Sequence, residues 1–146
     1  NYSSSAFEVT KETTLPGETN IDTLLNTMDP VLNDQAYVFC TVQGTYGDYA
    51  ELSPLASFQE KEGLTLVVTE EAALQAKLQF DATFQAITLQ VHSSLEAVGL
   101  TAAVSKQLAR NGISANVVAA YYHDHIFVPQ SRSQDAMNAL EQLKKS

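Results

Sequence analysis

The second half of the chain switches twice between the alternating pattern of a strand and the three-to-four spacing of an amphipathic helix. Residues 84–91 alternate, with Ile87, Leu89 and Val91 on one face, and predict a strand. Apolar residues then recur every three or four positions from Ala97 to the Asn111-Gly112 pair, which is typical of a helix end. The remaining patterns predict strands over 114–120 and 125–128 and a last helix with the stripe Met137, Leu140 and Leu143.

The first half shows a looser version of the same order. Thr69 is a good N-cap, and the Lys61-Glu62-Gly63 sequence is typical of a hairpin turn. Phe7 and Val9 alternate with polar residues and predict a short edge strand. The other predicted elements are helices over 19–28 and 69–78, strands over 37–42, 56–60 and 64–68, and a loop over 44–54.

Both halves therefore run strand, helix, strand, strand, helix. We expect an α+β fold of two ferredoxin-like βαββαβ modules in tandem, residues 1–80 and 81–146, with antiparallel sheets and helices on one face. In this sequence no strand pattern follows the last helix, so the second module needs a fourth strand from elsewhere. We expect residues 7–9 to supply it and so to interleave the two halves.

The strands predict that the sheet is covered on both faces. In residues 37–42 and 114–122, apolar side chains occupy both alternating positions. A sheet with helices on one side only normally exposes polar residues on the other. We therefore expect a second module or a second copy of the chain to cover the helix-free face, and we predict a homodimer.

Composition and charge narrow the function classes. The 146 residues carry 17 acidic and 8 basic side chains, a formal net charge of -9, which argues against nucleic acid as a main partner. No apolar run approaches the length of about 20 residues that spans a bilayer, so we expect no membrane partner. The single Cys40 allows neither an internal disulfide nor a cysteine-rich zinc site and favours a cytoplasmic location.

Residues 96–118 resemble the strand, loop, helix, strand core of ACT domains. The resemblance rests on the acidic Glu96 three positions before Gly99, the apolar helix that follows, and Gly112-Ile113 before the next strand. The flanking 91–95 and 121–129 are similar to small stand-alone proteins of two ACT modules, related to CASTOR-type amino-acid sensors. The resemblance implies a regulatory protein rather than an enzyme, which binds an amino acid or similar effector at a module interface and reports it to a partner.

A ligand site follows at the junction between the first strand and the helix of the second module. Gly99 has no side chain, so a ligand can approach the helix N–H groups, which suit a carboxylate. Glu96 could accept a hydrogen bond from an ammonium group, and Asn116 could reach the ligand from a paired module. Each residue also has a purely structural explanation. Gly99 could allow close packing, Glu96 could be a charge that favours the helix start, and Asn116 could make a cross-strand hydrogen bond. The predicted ligand-binding residues are Ser93, Ser94, Glu96, Val98, Gly99, Leu100 and Asn116, and we expect no catalytic residue, metal site or cofactor.

Two other classes of function stay open. The chain could be a structural or oligomerisation module without a ligand. It could also be a small metalloprotein, with His92, His123 and His125 and with Asp124 as a further ligand, or a hydrolase that combines Ser93, His123 and Asp124. A tight turn would disrupt the parity of the histidines, and no nucleophile-elbow motif accompanies Ser93. We therefore favour the amino-acid regulatory module.

Overall fold

The computed structural model describes residues 20–90 and 99–144, in which helices pack against an antiparallel sheet. The strands over 37–42, 84–89 and 124–129 and the helices after residues 20, 69, 99 and 132 agree with the predicted α+β class. The elements are α1 (Ile21–Thr27), β1 (Pro30–Leu32), β2 (Tyr37–Val42), α2 (Tyr46–Tyr49), β3 (Ala56–Gln59), β4 (Leu64–Thr69), α3 (Glu70–Gln75), β5 (Phe84–Leu89), α4 (Leu100–Arg110), β6 (Asn116–Ala119), β7 (Asp124–Pro129) and α5 (Ser133–Leu143), with 3₁₀ turns at Ala50–Leu52 and Gln130–Arg132.

The described strands form one sheet in the order β3-β4-β2-β5-β7-β6, and β1 also pairs with β5. All pairs are antiparallel. Strand β2 meets β5 at the single pair Tyr37–Phe84, whereas β1 pairs with the other end of β5, from Pro30–Leu89 to Leu32–Ile87. The arrangement β1-β5-β7-β6 is a complete four-stranded ferredoxin-like sheet, and it confirms the predicted fold class.

The second module takes its fourth strand from within residues 1–80, the range predicted for the first module. Strand β1 lies beside β5, and the backbone bonds Asn33 N to Ala86 O and Gln90 N to Asp29 O, both 2.9 Å, extend the pairing. We expected residues 7–9 here, but Pro30–Leu32 occupies this edge of β5. Residues 7–9 lie outside the described part of the chain. The division of the chain near residue 80 stays a prediction.

The helices cover one face of the sheet. Helices α1, α4 and α5 pack on β5 and β7, and α3 packs on β2 and β4. The cap predicted at Thr69 is present, because its hydroxyl accepts from Ala72 N at 3.1 Å. None of the helices within 20–90 and 99–144 combines the length and apolarity needed to cross a membrane. Fully buried core residues include Leu24, Met28, Ile87, Leu89, Val104, Leu108, Ile126, Val128 and Leu140 around α4 and α5, and Val38, Leu66, Val68 and Ala73 around α3.

The predicted loop over 44–54 contains the single-turn helix α2 and a 3₁₀ turn. Asp48 Oδ2 accepts from the backbone N–H of Thr45 at 2.9 Å and holds the start of α2. The loop prediction was wrong for these residues, because a helix of four residues is too short to show a periodic pattern. The first module therefore has only a rudimentary helix between its first two strands.

Candidate functional site

The helix-free face of the sheet carries an aromatic cluster. We define this face by Tyr37, Phe39, Val67, Phe84, Ala86 and Phe127, which alternate with residues of the helix-side cores. The ring centroid of Phe39 lies 5.3 Å from that of Phe84 and 5.4 Å from that of Phe127, both in edge-to-face geometry. Phe127 is only 1% exposed. The apolar second face predicted from the strand pattern is therefore present, and its centre is buried by the chain itself.

The junction where α4 begins depends on a glycine backbone. Gly99 is the N-cap of α4, with φ 107° and ψ -24°, and its carbonyl accepts from Ala103 N at 2.8 Å. Residues that carry a side chain rarely adopt such a positive φ. A Cβ at this position would lie 3.4 Å from the side chain of Ile21. Gly99 thus serves the backbone turn, and α1 lies directly beside the start of α4.

A buried carboxyl lies at the first turn of α4. Asp124 is 9% exposed, and among the described residues it is the only polar or charged residue that is classed as buried. On β7 it shares the helix-side face with Ile126 and Val128. Burial raises the pKa of Asp124, while His125, the Thr101 hydroxyl that donates to it, and His123 lower it to a smaller extent. The structure therefore places an acidic group next to the helix terminus that was predicted to bind a ligand.

The structure describes only part of the predicted ligand site. Ser93, Ser94, Glu96 and Val98 lie outside the described residues. Gly99 and Leu100 are at the α4 junction, but the Leu100 side chain is 3% exposed and belongs to the core. Only its backbone N–H can serve a ligand there.

Asn116 lies on the opposite face of the sheet from the α4 junction. Its neighbour Val117 packs on the helix-side core, so Asn116 faces the other way. It lines a cavity of about 220 Å³ together with Phe39, Asp81, Ala82 and Phe84. Within one chain the fold does not bring Gly99 and Asn116 together.

Asp124 is the residue of this junction whose role the sequence analysis missed. The sequence alone suggests it only as a metal ligand or a hydrolytic residue. The sequence does contain a sign of its burial, because Asp124 alternates with the apolar Ile126 and Val128 and so lies on the same face of a strand. We missed it because His123-Asp124 has the composition of a turn, whereas β7 begins at Asp124.

The histidines gain no support as a metal site. His125 lies on the helix-free face with Nδ1 at 2.9 Å from Thr88 Oγ1, whereas the adjacent Asp124 faces the helices. Across 20–90 and 99–144, no group of three His, Cys, Asp or Glu side chains is placed to hold a metal ion. His92 of the metal hypothesis and Ser93 of the hydrolytic hypothesis lie outside these ranges.

Comparison with known proteins identifies the family. Models of the ACT domain match residues 16–85 and 82–142. The chain belongs to the ACT domain family. ACT domains are regulatory, so the prediction of a regulatory protein rather than an enzyme is confirmed.

Solved structures show the same fold. A protein of unknown function from Vibrio cholerae, described as a possible transport protein, is 54% identical over 84% of this chain and 94% of its own, with a TM-score of 0.79. Two more distant structures share the fold alone. They are a protein from Agrobacterium tumefaciens, 16% identical over 80% and 89% with a TM-score of 0.68, and the ligand-free regulatory subunit of aspartate kinase from Thermus thermophilus, 10% identical over 82% and 98% with a TM-score of 0.56. No curated protein matches the chain at a significant level.

Proposed function

We propose that this protein binds a free amino acid at the start of α4 and passes the binding on to a partner chain. The observation that carries the proposal is the buried Asp124 carboxyl beside the first turn of a helix whose N-cap, Gly99, has no side chain. A negative group and a cluster of N–H donors thus lie side by side. The carboxylate and ammonium groups of a free amino acid also lie side by side, with the opposite charges.

Each end of the ligand has a matching partner. The first N–H groups of α4 have no carbonyl acceptor in the preceding turn, and the helix dipole favours a carboxylate there. Asp124 and Glu96 are suited to the ammonium group, because hydrogen bonds between charged groups are the stronger ones. The nearby ammonium would also favour the ionised form of Asp124, which opposes the rise in pKa that burial causes. Ser93, Ser94 and Val98 complete the proposed site.

The second part of the proposal is a homodimer in which Asn116 of a second copy completes the site. Asn116 and Gly99 lie on opposite faces of one chain, so only a second copy can bring both to one ligand. The pairing therefore sets the helix-free face of one copy, which carries Asn116 and the exposed Phe58 (71%) and Val31 (40%), against the α4 side of the other copy. Light scattering at micromolar concentration tests it, and a strict monomer of 15.9 kDa would exclude it. The cytoplasmic location stays a prediction.

A thermal-shift screen of the twenty amino acids tests the proposed ligand class. A ligand that binds only the folded state raises the Tm by mass action, so we expect a rise with one or two amino acids. If none of them raises the Tm, the result favours the alternative that the chain is a structural or oligomerisation module without a ligand.

Mutation then tests the site itself. Glu96→Gln and Asp124→Asn should each weaken binding by about 1.5 to 3 kcal/mol, the usual worth of a hydrogen bond to a charged group. Glu62→Gln, in the exposed turn between β3 and β4, is the matched control and should leave the Kd unchanged. The Kd from calorimetry is the readout, since Asp124→Asn also alters stability. Unchanged affinity in both site variants would place the ligand elsewhere.

A further inference from the structure

The cavity that Asn116 lines opens on the helix-free face where the two modules meet. Strands β2 and β5 pair only at Tyr37–Phe84, and beyond this pair they separate. Asp81 and Ala82, in the segment that leads into β5, line the cavity. Asn116 closes the cavity from β6, two strands beyond β5. The lining is Phe39, Asp81, Ala82, Phe84 and Asn116, around a volume of about 220 Å³.

The aromatic wall of this cavity is held in place from behind. Phe39 and Phe84 pack edge to face with an angle of 76° between ring planes, and Phe39 packs at 82° on Phe127. Phe127 is almost fully buried. Contacts of this kind each add roughly 0.5 to 1.5 kcal/mol beyond the area they bury. The wall is therefore preformed and does not need a ligand to order it.

The polar groups of the cavity are Asp81 and Asn116. Both residues are exposed. Neither side chain makes a hydrogen bond or an ion pair with any other residue in 20–90 or 99–144. The carboxylate of Asp81 is an acceptor only, and the Asn116 amide offers one oxygen acceptor and one NH₂ donor. A protein of net charge -9 also raises the local concentration of cations around such a group.

We infer that this cavity binds a small primary amine with an apolar body and without a carboxylate. The ammonium group would bond to Asp81 and to the amide oxygen of Asn116. The apolar body would lie on the Phe39 and Phe84 rings, whose faces also attract a cation. A carboxylate on the ligand would be repelled by Asp81, which separates this ligand class from the amino acid proposed for the start of α4. Within one chain the two sites lie on opposite faces of the sheet and share no residue. The proposed function takes Asn116 from a second copy, whereas the cavity needs no second copy, so Phe84 and Asp81 are the residues that distinguish the two.

An NMR titration with three related probes tests the inference. The probes are 2-phenylethylamine, the neutral 2-phenylethanol and phenylalanine, which adds a carboxylate to the same body. We expect the amine to bind more tightly than the other two at this cavity, with shifts of the Asn116 side-chain amide and of Phe84. Asp81→Asn should weaken amine binding about threefold to tenfold, a range set by the exposure of the carboxylate, and leave the alcohol unaffected. Asp34→Asn removes the same charge at an exposed position outside the cavity and is the matched control.

Three results would overturn the inference. The alcohol could bind as tightly as the amine, Asp34→Asn could weaken the amine as much as Asp81→Asn does, or the amine could shift signals elsewhere than at the cavity. The proposed amino-acid site is followed separately through the amides of Thr101 and Asp124. An amino acid that shifts those signals while no amine affects Phe84 or Asp81, which belong to the cavity only, would refute the cavity alone. The reverse pattern would refute the α4 site alone.

Discussion

Thr88 Oγ1 lies 2.9 Å from Nδ1 of His125, directly across the β5–β7 pair. Burial lowers the pKa of His125 below its ordinary value of 6.5, the charge of His123 lowers it further, and Asp124 raises it to a smaller extent. The folded protein thus favours the neutral imidazole. As the pH falls, the unfolded chain takes up this proton first, and the free energy of unfolding decreases.

The first prediction is therefore that His125 makes the folded protein less stable when the pH is lowered slightly. Between pH 7.5 and 5.5, urea denaturation should show a smaller decrease in stability for His125→Gln than for the wild type, because glutamine does not titrate. An NMR titration of the His125 ring should give a pKa below 6.5 in the folded protein and the ordinary value in urea. A folded pKa at or above 6.5 would contradict the prediction.

The second prediction concerns Asp124 and has the opposite sign. Burial raises its pKa above the ordinary 3.8, so its ionised form is less favourable in the folded than in the unfolded chain. The stability of the wild type relative to Asp124→Asn should therefore increase as the pH falls from 7 towards 4. Denaturation of both proteins at pH 7, 5.5 and 4.5 checks this. A difference independent of pH would show that burial does not perturb the carboxyl.

The third prediction is that Gly99→Ala destabilises the fold. Alanine must adopt φ 107°, and a left-handed backbone costs about 1 to 2 kcal/mol for a residue with a Cβ. Gly47→Ala is the matched control. A Cβ at Gly47 would lie 3.8 Å from Thr45 Oγ1, an ordinary contact, and Gly47 has no positive φ. We expect urea denaturation to show Gly47→Ala as neutral or stabilising by about 0.5 kcal/mol. Equal effects of the two variants would refute the role of backbone strain.

The fourth prediction is that the helix-free face contributes to the stability of the single chain. Phe127→Ala should cost about 3 to 5 kcal/mol, the usual loss for a buried phenylalanine. Phe58→Ala on the same face changes a side chain that is 71% exposed and should cost less than about 0.5 kcal/mol. Thermal unfolding at low protein concentration measures both. A large loss for Phe58 that grows with protein concentration would indicate that a second copy covers it.

Most of the sheet and the long helices could be predicted from the sequence because their patterns are long and strongly periodic. Strands such as β2 and β4 bury alternate residues on the helix side, and α4 repeats its apolar residues over 11 positions. Strand β1 could not be predicted, since three residues carry no period and Pro30 is equally a helix stop. Its position depends on pairing with Ile87 and Leu89, a contact that local sequence does not encode.

The site was harder to predict than the fold. Gly99 could be located because a glycine at the start of a helix is a local signal. The burial of Asp124 depends on which residue begins β7, and a shift of one residue exchanges the two faces of a strand. The distance between Gly99 and Asn116 depends on the side of the sheet that each one faces, and no local pattern fixes that. The burial of Asp124 and the separation of Gly99 from Asn116 are both properties of the assembled sheet.

The pairing of β1 with β5 also has consequences for how the chain reaches its fold. The contact between Leu32 and Ile87 closes a loop of about 55 residues. Contacts of such high sequence separation slow folding, because chain entropy is lost before the contact forms. During synthesis from the N-terminus, β1 emerges well before its partner and stays unpaired until β5 has been translated. A fragment that starts near residue 81 would therefore leave the β1 side of β5 as an open edge, the kind of surface that recruits strands from other chains.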